Sequence, residues 1–266
     1  DAVDAAALGR AAPGRVAAHD AAVAGRIGEL AGQQRQPRAA AGLDQREAIG
    51  AFLNGKLPPT PPSAASGWTT VDAFPNLRFQ NPLFITGAPE SDRLYVLERE
   101  GTIHSFRNDP ATQQKTLFLD IRDRTQGWDD CGLMGLAFHP DFGKAASPNR
   151  GYIYVFYQYS QAPTAGPDRP PDWTVTSNRL SRFTVPDGSL VADSNSELVL
   201  IDQMDEHLWH NGGSLFFHPV DGFLYVALGD EGGASDRYNN TQRIDKDLFS
   251  GMIRIDVDKR SDRSHA

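Results

Sequence analysis

Leu215-Phe216-Phe217-His218-Pro219-Val220-Asp221-Gly222-Phe223-Leu224-Tyr225-Val226 sets two short apolar runs on either side of a Pro/Asp/Gly cluster. Aromatic and β-branched runs bounded by turn residues read as a two-stranded hairpin. The same unit occurs twice earlier in the chain. Leu136-Ala137-Phe138 leads through His139-Pro140-Asp141 and an insertion to Ile153-Tyr154-Val155. Leu83-Phe84-Ile85 leads through Pro89-Glu90-Ser91-Asp92 to Leu94-Tyr95-Val96. The three tyrosines stand 59 and 71 residues apart. A strand, a Pro/Asp turn and an apolar-Tyr-Val strand repeated at this spacing predict successive β-propeller blades. The spacing exceeds the usual ~40–50 residues of such repeats, so some loops must be enlarged, the Pro-rich stretch Gln161–Asp172 among them. A β-sandwich reusing one good hairpin is the competing arrangement. Tyr95, Tyr154 and Tyr225 are therefore expected on equivalent strands of three separate sheets.

Ahead of the repeats the texture changes. Residues 1–66 are rich in Ala, Gly, Arg and Gln, and Leu57-Pro58-Pro59-Thr60-Pro61-Pro62-Ser63 reads as a stiff, extended linker. Alanine favours helix, and Ile49, Phe52 and Leu53 are spaced for one face of a helix over Leu43–Leu53. The expected division is a partly helical N-terminal segment over 1–66 and a β domain over 67–266. The chain starts at Asp1 rather than Met, which fits a removed leader or a piece of a longer protein.

Bulk composition excludes several functions. With 26 Lys and Arg against 34 Asp and Glu, the formal charge is −8. That balance argues against nucleic acid, whose phosphates need clustered positive charge. No apolar run approaches the ~20 residues of a membrane helix. Cys131 is the only cysteine, so neither an internal disulfide nor a Cys-rich metal site can form within the chain.

The strongest local motif is His210-Asn211-Gly212-Gly213-Ser214-Leu215, followed by Gly229-Asp230-Glu231-Gly232. Two others accompany it. They are Gly132-Leu133-Met134-Gly135-Leu136-Ala137-Phe138-His139-Pro140-Asp141-Phe142 and Gly251-Met252-Ile253-Arg254-Ile255-Asp256-Val257-Asp258. From about Phe74 to Lys259 the chain resembles the glucose/sorbosone dehydrogenase family, the soluble sugar dehydrogenases that use pyrroloquinoline quinone. The resemblance implies an all-β, six-bladed β-propeller, of which about three blades fall within this chain. It also implies pyrroloquinoline quinone and calcium as cofactors, a sugar as substrate, a separate electron acceptor as partner, and a periplasmic or secreted location.

By the same resemblance His210 is the general base and touches the cofactor, and Asp230 pairs with it and orients it. A neutral imidazole takes a proton near neutral pH, and a carboxylate fixes its tautomer and stabilises the imidazolium. Gly212, with Gly213, would let backbone approach a flat cofactor. Asp130 stands where the sugar dehydrogenase has a cofactor-contacting glutamine, so it is placed on the pocket wall. The family's Arg-Asn pair, calcium-binding backbone and cofactor-binding lysine belong to later blades. Hedgehog-interacting proteins share much of this motif set as binding modules, which leaves a non-catalytic or carbohydrate-binding propeller as the alternative.

Plainer readings stand beside these. Asp230 is also what a tight turn would use, and Asp130 after Asp129 also reads as a solvated turn. His139 and His218 occupy equivalent places in the repeat, which argues for a structural role. His207 with Glu206 and Asp205 could bind a metal, but by spacing alone. Asp230, Glu231, Asp236, Asp245 and Asp247 could offer hard oxygen ligands to calcium, or form exposed acidic turns. Asn239-Asn240-Thr241 fits a glycosylation acceptor, and Cys131 reads as a small buried filler.

Overall fold

A computed structural model describes residues 70–125, 127–160, 176–241, 243 and 245–258. The expected N-terminal segment, its boundary, the Leu43–Leu53 helix and the Gln161–Asp172 loop lie outside the described residues. Within them every regular element is a strand, and no helix is long and apolar enough to cross a membrane.

Three antiparallel sheets follow one another along the chain. The first is a meander of β1 (Pro82–Gly87), β2 (Arg93–Glu98), β3 (Thr102–Arg107) and β4 (Thr116–Asp120). The second holds β5 (Leu133–Phe138), β6 (Tyr152–Ser160), β7 (Thr176–Thr184) and β8 (Asp193–Asp205) in the same order. The third contains β9 (Gly212–Phe217), β10 (Leu224–Leu228) and β11 (Met252–Ile255). Tyr95, Tyr154 and Tyr225 each sit on the second strand of a different sheet. They pair with Thr86 and Ser105, with Ala137 and Arg182, and with Phe216 and Arg254 respectively. The repeat unit therefore marks equivalent strands, as its sequence requires.

The second strands are continuous apolar runs because the sheets stack, and a strand covered on both faces has no polar side to keep. Tyr95 is buried between Phe118 of its own sheet and Phe138 of the next, with ring centroids 4.8 and 4.6 Å away. On the far face of the second sheet, Tyr154 and Phe156 pack with Leu215, Leu224 and Val226 of the third. The bulkiest side chains thus lie between sheets and fix their spacing.

Each first strand also carries a register irregularity near its start. Leu83 is extra between the pairs Pro82↔Glu98 and Phe84↔Leu97. Met134 is extra between Leu133↔Tyr157 and Gly135↔Phe156, and the pairing shifts again between Leu215↔Val226 and Gly212↔Leu228. An extra residue bends a strand and re-aims its end. In β5 and β9 the bent ends are those that follow the Asp130 and His210 loops.

Leu83, Phe84 and Ile85 of β1, the edge strand of the first sheet, are 46%, 43% and 50% exposed. Phe138, by contrast, closes the gap between the first two sheets and touches Tyr95, Phe118 and Phe142. Phe138→Ala is expected to destabilise the domain by about 3–5 kcal/mol, read as a lower denaturant midpoint with an unchanged slope. A loss below ~1 kcal/mol would show that the sheets do not depend on this contact.

Candidate functional site

Three segments meet at one end of the second and third sheets: residues 205–211 between β8 and β9, residues 128–132 before β5, and residues 229–233 after β10. Antiparallel pairing brings the first and last together. Gly212 at the start of β9 faces Leu228 at the end of β10, and Gly229 N–H donates to the Asn211 carbonyl at 3.3 Å. His210 stands at the mouth of this hairpin with a backbone φ of +61°, a left-handed conformation that few non-glycine residues adopt.

His210 and Asp230, 20 residues apart in sequence, are in contact. The ring Nδ1 lies 2.7 Å from Asp230 Oδ1, and the same oxygen accepts the Gly232 N–H at 3.1 Å. Partial burial pushes the Asp230 carboxyl up, but the His210 hydrogen bond and the Gly232 N–H outweigh it and hold the group below the usual aspartate range. An ionised Asp230 can only accept, so the proton of this contact belongs on Nδ1. Nε2 then carries the lone pair. The side chain is half exposed. This arrangement can take a proton from a ligand and spread the resulting charge onto a carboxylate.

Asp130 joins them from the second sheet. Its Oδ2 lies 3.3 Å from the His210 backbone nitrogen, and its carbonyl accepts from Asn211 Nδ2 at 2.9 Å. Asp129 accepts the indole N–H of Trp209 at 2.8 Å. Both acidic residues therefore grip the His210 loop. Gly212 has a φ of +84°, and a Cβ there would meet the Ala227 carbonyl oxygen and the Gly229 nitrogen at 2.7 Å each. The close approach at Gly212 is to β10.

Other groups gather at this end: Asn211, which the sequence reading passed over, and Glu231 and Asp205, which it raised only as possible metal ligands. Asn211, buried, bonds Asp130 and the Leu208 carbonyl and holds its side-chain oxygen 3.4 Å from Gln158 Nε2. Glu231 is buried, accepting from Glu206 N–H at 3.1 Å and Asn240 Nδ2 at 2.7 Å. Asp205 is buried too, accepting from Asn178 Nδ2 at 2.7 Å and His207 N–H at 2.9 Å. Burial, reinforced by the Glu231 charge and opposed by those two donors, pushes the Asp205 carboxyl up to about 7.

The remaining candidates fall elsewhere or have other work. His139 is buried between the Asp141 N–H at 3.0 Å and Asp258 Oδ1 at 3.1 Å, and so ties the β5–β6 turn to the segment after β11. His218 sits in the equivalent turn with Nδ1 3.4 Å from the Asp221 nitrogen. His207 is buried, and burial holds its imidazole below the usual histidine value. Asp236 accepts from the Asn240 and Thr241 backbone, and Asp245 pairs with Arg243. Among the described residues no three His, Cys, Asp or Glu side chains converge as a metal site. Cys131 is fully buried and donates to the Leu208 carbonyl at 3.1 Å. A cleft of about 390 Å³ lined by Phe142, Arg150 and Asp187 lies at the opposite end of β6 and β7 from His210.

Residues 79–261 match the glucose/sorbosone dehydrogenase family over their whole stretch. The chain belongs to that family. A solved glucose dehydrogenase aligns with a TM-score of 0.51 at 18% identity, covering 67% of this chain and 48% of that one, a likeness of fold. Hedgehog-interacting protein of Mus musculus is 32% identical over 177 residues, covering 63% of this chain and 23% of the relative. HIPL1 protein of Arabidopsis thaliana is 26% identical over 201 residues, covering 66% and 26%. The chain spans about a quarter of the length of these two relatives.

Asp205 gives this member of the glucose/sorbosone dehydrogenase family a pH signature. A carboxyl whose folded pKa lies above its unfolded value stabilises the fold at low pH. It loses that contribution as pH rises from about 4 through about 7. Asp205→Asn keeps the shape and removes the titration. In metal-free buffer the variant should gain on the wild type steadily across that window and be the more stable at pH 8, by urea melts. Parallel curves for the two proteins would contradict the assignment.

Proposed function

We propose that this chain is part of a quinoprotein that oxidises a sugar hydroxyl with pyrroloquinoline quinone as hydride acceptor. The observation that carries the reading is the 2.7 Å His210–Asp230 contact at an open end of the sheets, in a chain of the glucose/sorbosone dehydrogenase family. Three stacked sheets in sequence order, with β5 lying between β1 and β9, support a propeller whose first strands surround a common axis. The exposed apolar face of β1 supports further sheets packing against it in a six-bladed ring.

In this reading His210 Nε2 accepts the proton of the sugar hydroxyl, and Asp230 holds the ring and stabilises the imidazolium. Asp130 and Asn211 keep the His210 backbone in its left-handed conformation at the pocket wall. Pyrroloquinoline quinone supplies two-electron acceptance when bound, with calcium as its counter-ion. The residues present fit the proton-accepting half of that chemistry, and His210 and the backbone at Gly212 would lie against the quinone. Basic partners for its carboxylates are expected from residues outside those described. A periplasmic or secreted location and a separate electron acceptor follow from this chemistry.

One observation favours a second reading, a non-catalytic binding propeller. Asp129, Asp130 and Asp230 make the His210 rim acidic, which suits a cationic or metal-bearing partner better than a tricarboxylate. The identity to Hedgehog-interacting protein agrees with it.

The experiment uses the protein encoded by the complete reading frame. Micromolar pyrroloquinoline quinone with calcium should bind and support dye-linked aldose oxidation. His210→Ala should lower kcat by at least ~10²-fold while changing quinone affinity far less. Absence of quinone binding would establish the binding-module reading, and near-normal turnover in His210→Ala would remove that residue from the chemistry.

A further inference from the structure

Behind the His210 loop, one end of the second sheet buries polar side chains where the rest of its length buries aromatics. Gln158 on β6 lies directly opposite Asn178 on β7, and Thr176 on β7 lies opposite Asp205 on β8. Residues paired across strands, or two apart along one, share a face. These four therefore form one polar patch, with 0%, 0%, 2% and 2% of their surfaces exposed.

The hydrogen bonding of this patch is lopsided. Gln158 Nε2 donates to Thr176 Oγ1 at 3.3 Å and approaches Asn211 Oδ1 at 3.4 Å. Asn178 Nδ2 donates to Asp205 Oδ2 at 2.7 Å, and Thr176 Oγ1 donates to the Asp205 carbonyl at 3.0 Å. These donors are all spent on acceptors, while Gln158 Oε1 and Asn178 Oδ1 accept no hydrogen bond. Both orphan oxygens belong to fully buried side chains of this patch. Turning the Asn178 amide over would set its oxygen against the Asp205 carboxylate whenever that group is ionised.

The charge is lopsided as well. Among the described residues no lysine or arginine forms an ion pair with Asp205, and its two hydrogen-bond donors are neutral. The other charge that bears on it is the Glu231 carboxylate, of the same sign, and together with burial it disfavours ionisation. A buried, uncompensated carboxylate beside orphan acceptors is costly on both counts. A water could donate to the two amide oxygens but would leave the charge uncompensated.

We propose that Gln158 Oε1, Asn178 Oδ1 and the Asp205 carboxylate form a structural site for a hard divalent cation, calcium by its ligand chemistry. All the donor atoms are oxygens, which disfavours zinc. An irregular set of amide and carboxylate oxygens, filled out by water or backbone, suits calcium's flexible six to eight ligands. Magnesium demands near-ideal octahedral geometry and keeps its water. Asp205 closes β8, and the next residues carry the chain to His210. The cation would pin that strand end to β6 and β7 and set the height of the His210 loop. Neither the quinone nor the redox reading enters this argument.

The test uses the chelator-stripped chain with calcium alone and no quinone. The wild type should bind calcium by titration calorimetry. Its Tm should rise by roughly 5–10 °C at a hundredfold excess over Kd, with little response to magnesium. Asp205→Asn should abolish that rise. Gln158→Met removes one orphan oxygen together with the Nε2 donor to Thr176 and Asn211, and measured against its own calcium-free Tm it should weaken calcium at least ~10-fold. Crystals of the wild type grown with calcium should show the ion bonded to all three side chains, a readout that needs no variant to fold. A wild type indifferent to calcium, a calcium response retained in both variants, or an ion bonded elsewhere would each overturn the proposal. None of these outcomes bears on quinone oxidation, so each reading can fail without the other.

Discussion

The interdigitation of aromatic side chains between neighbouring sheets is the contact on which the rest of the described structure depends. Tyr95, Phe118 and Phe138 lock the first sheet to the second, and Tyr154 with Phe217 carries the stacking to the third. A close-packed interface of this kind tolerates little sliding, because rings must meet at specific angles. Once the sheets are held in register, their strand ends are held too. The loops at those ends inherit positions that their own sequences could not specify.

The His210 site is built on that inheritance. Its parts come from loops preceding β5, preceding β9 and following β10, so two sheets must be aligned before the residues can meet. The hairpin of β9 and β10 accounts for the His210–Asp230 pair by itself, since antiparallel strands return their far end to the starting point. Asp130 needs the second sheet to be in place. Stability at Phe138 and geometry at His210 are thus linked through packing, with no direct contact between them.

Much of this was legible in the residues because the repeat is written in residue types that cannot do two things. Leu94-Tyr95-Val96 and its two counterparts can only be buried strands, and a Pro/Asp turn between apolar runs can only be a hairpin. His210 and Asp230 were legible through family motifs, and the hairpin turns that motif pairing into contact. What escaped was context. Glu231 read as a calcium ligand or an exposed acidic turn and Asp205 as a metal ligand by spacing alone, yet both are buried, because backbone N–H groups and the amides of Asn240 and Asn178 receive them. The bulges at Leu83 and Met134 carry no composition signal, and nothing in Leu83-Phe84-Ile85 marks the exposure of that apolar run. In each case the missing information was what lies across the interface.

The acidity of the site bears on which of the two functional readings is physically easier. An anionic cofactor beside Asp129, Asp130, Asp230, Glu231 and Asp205 would face repulsion if those charges were all turned outward. They are not. Asp129 is engaged by the Trp209 indole, Asp130 by the His210 backbone, Asp230 by the His210 ring and Gly232 N–H, and Glu231 by Glu206 N–H and Asn240. Hydrogen bonds to an ionised carboxylate neutralise much of its local field without removing its charge. The carboxylates thus serve chiefly as ties that hold a strained histidine loop open. A ligand at Nε2 meets a lone pair backed by a negative charge on the far side of the ring. That arrangement welcomes positive charge developing on the imidazole and, equally, a cation bound directly to it. Proton abstraction would use the first property and a cation-bearing partner the second, so the same few contacts are compatible with either proposed reading. A source of positive charge for a cofactor's carboxylates would separate the two readings, and the arginine that reaches this rim, Arg99, donates to the Asp129 carbonyl at 3.4 Å and pairs with Glu100 at 3.6 Å.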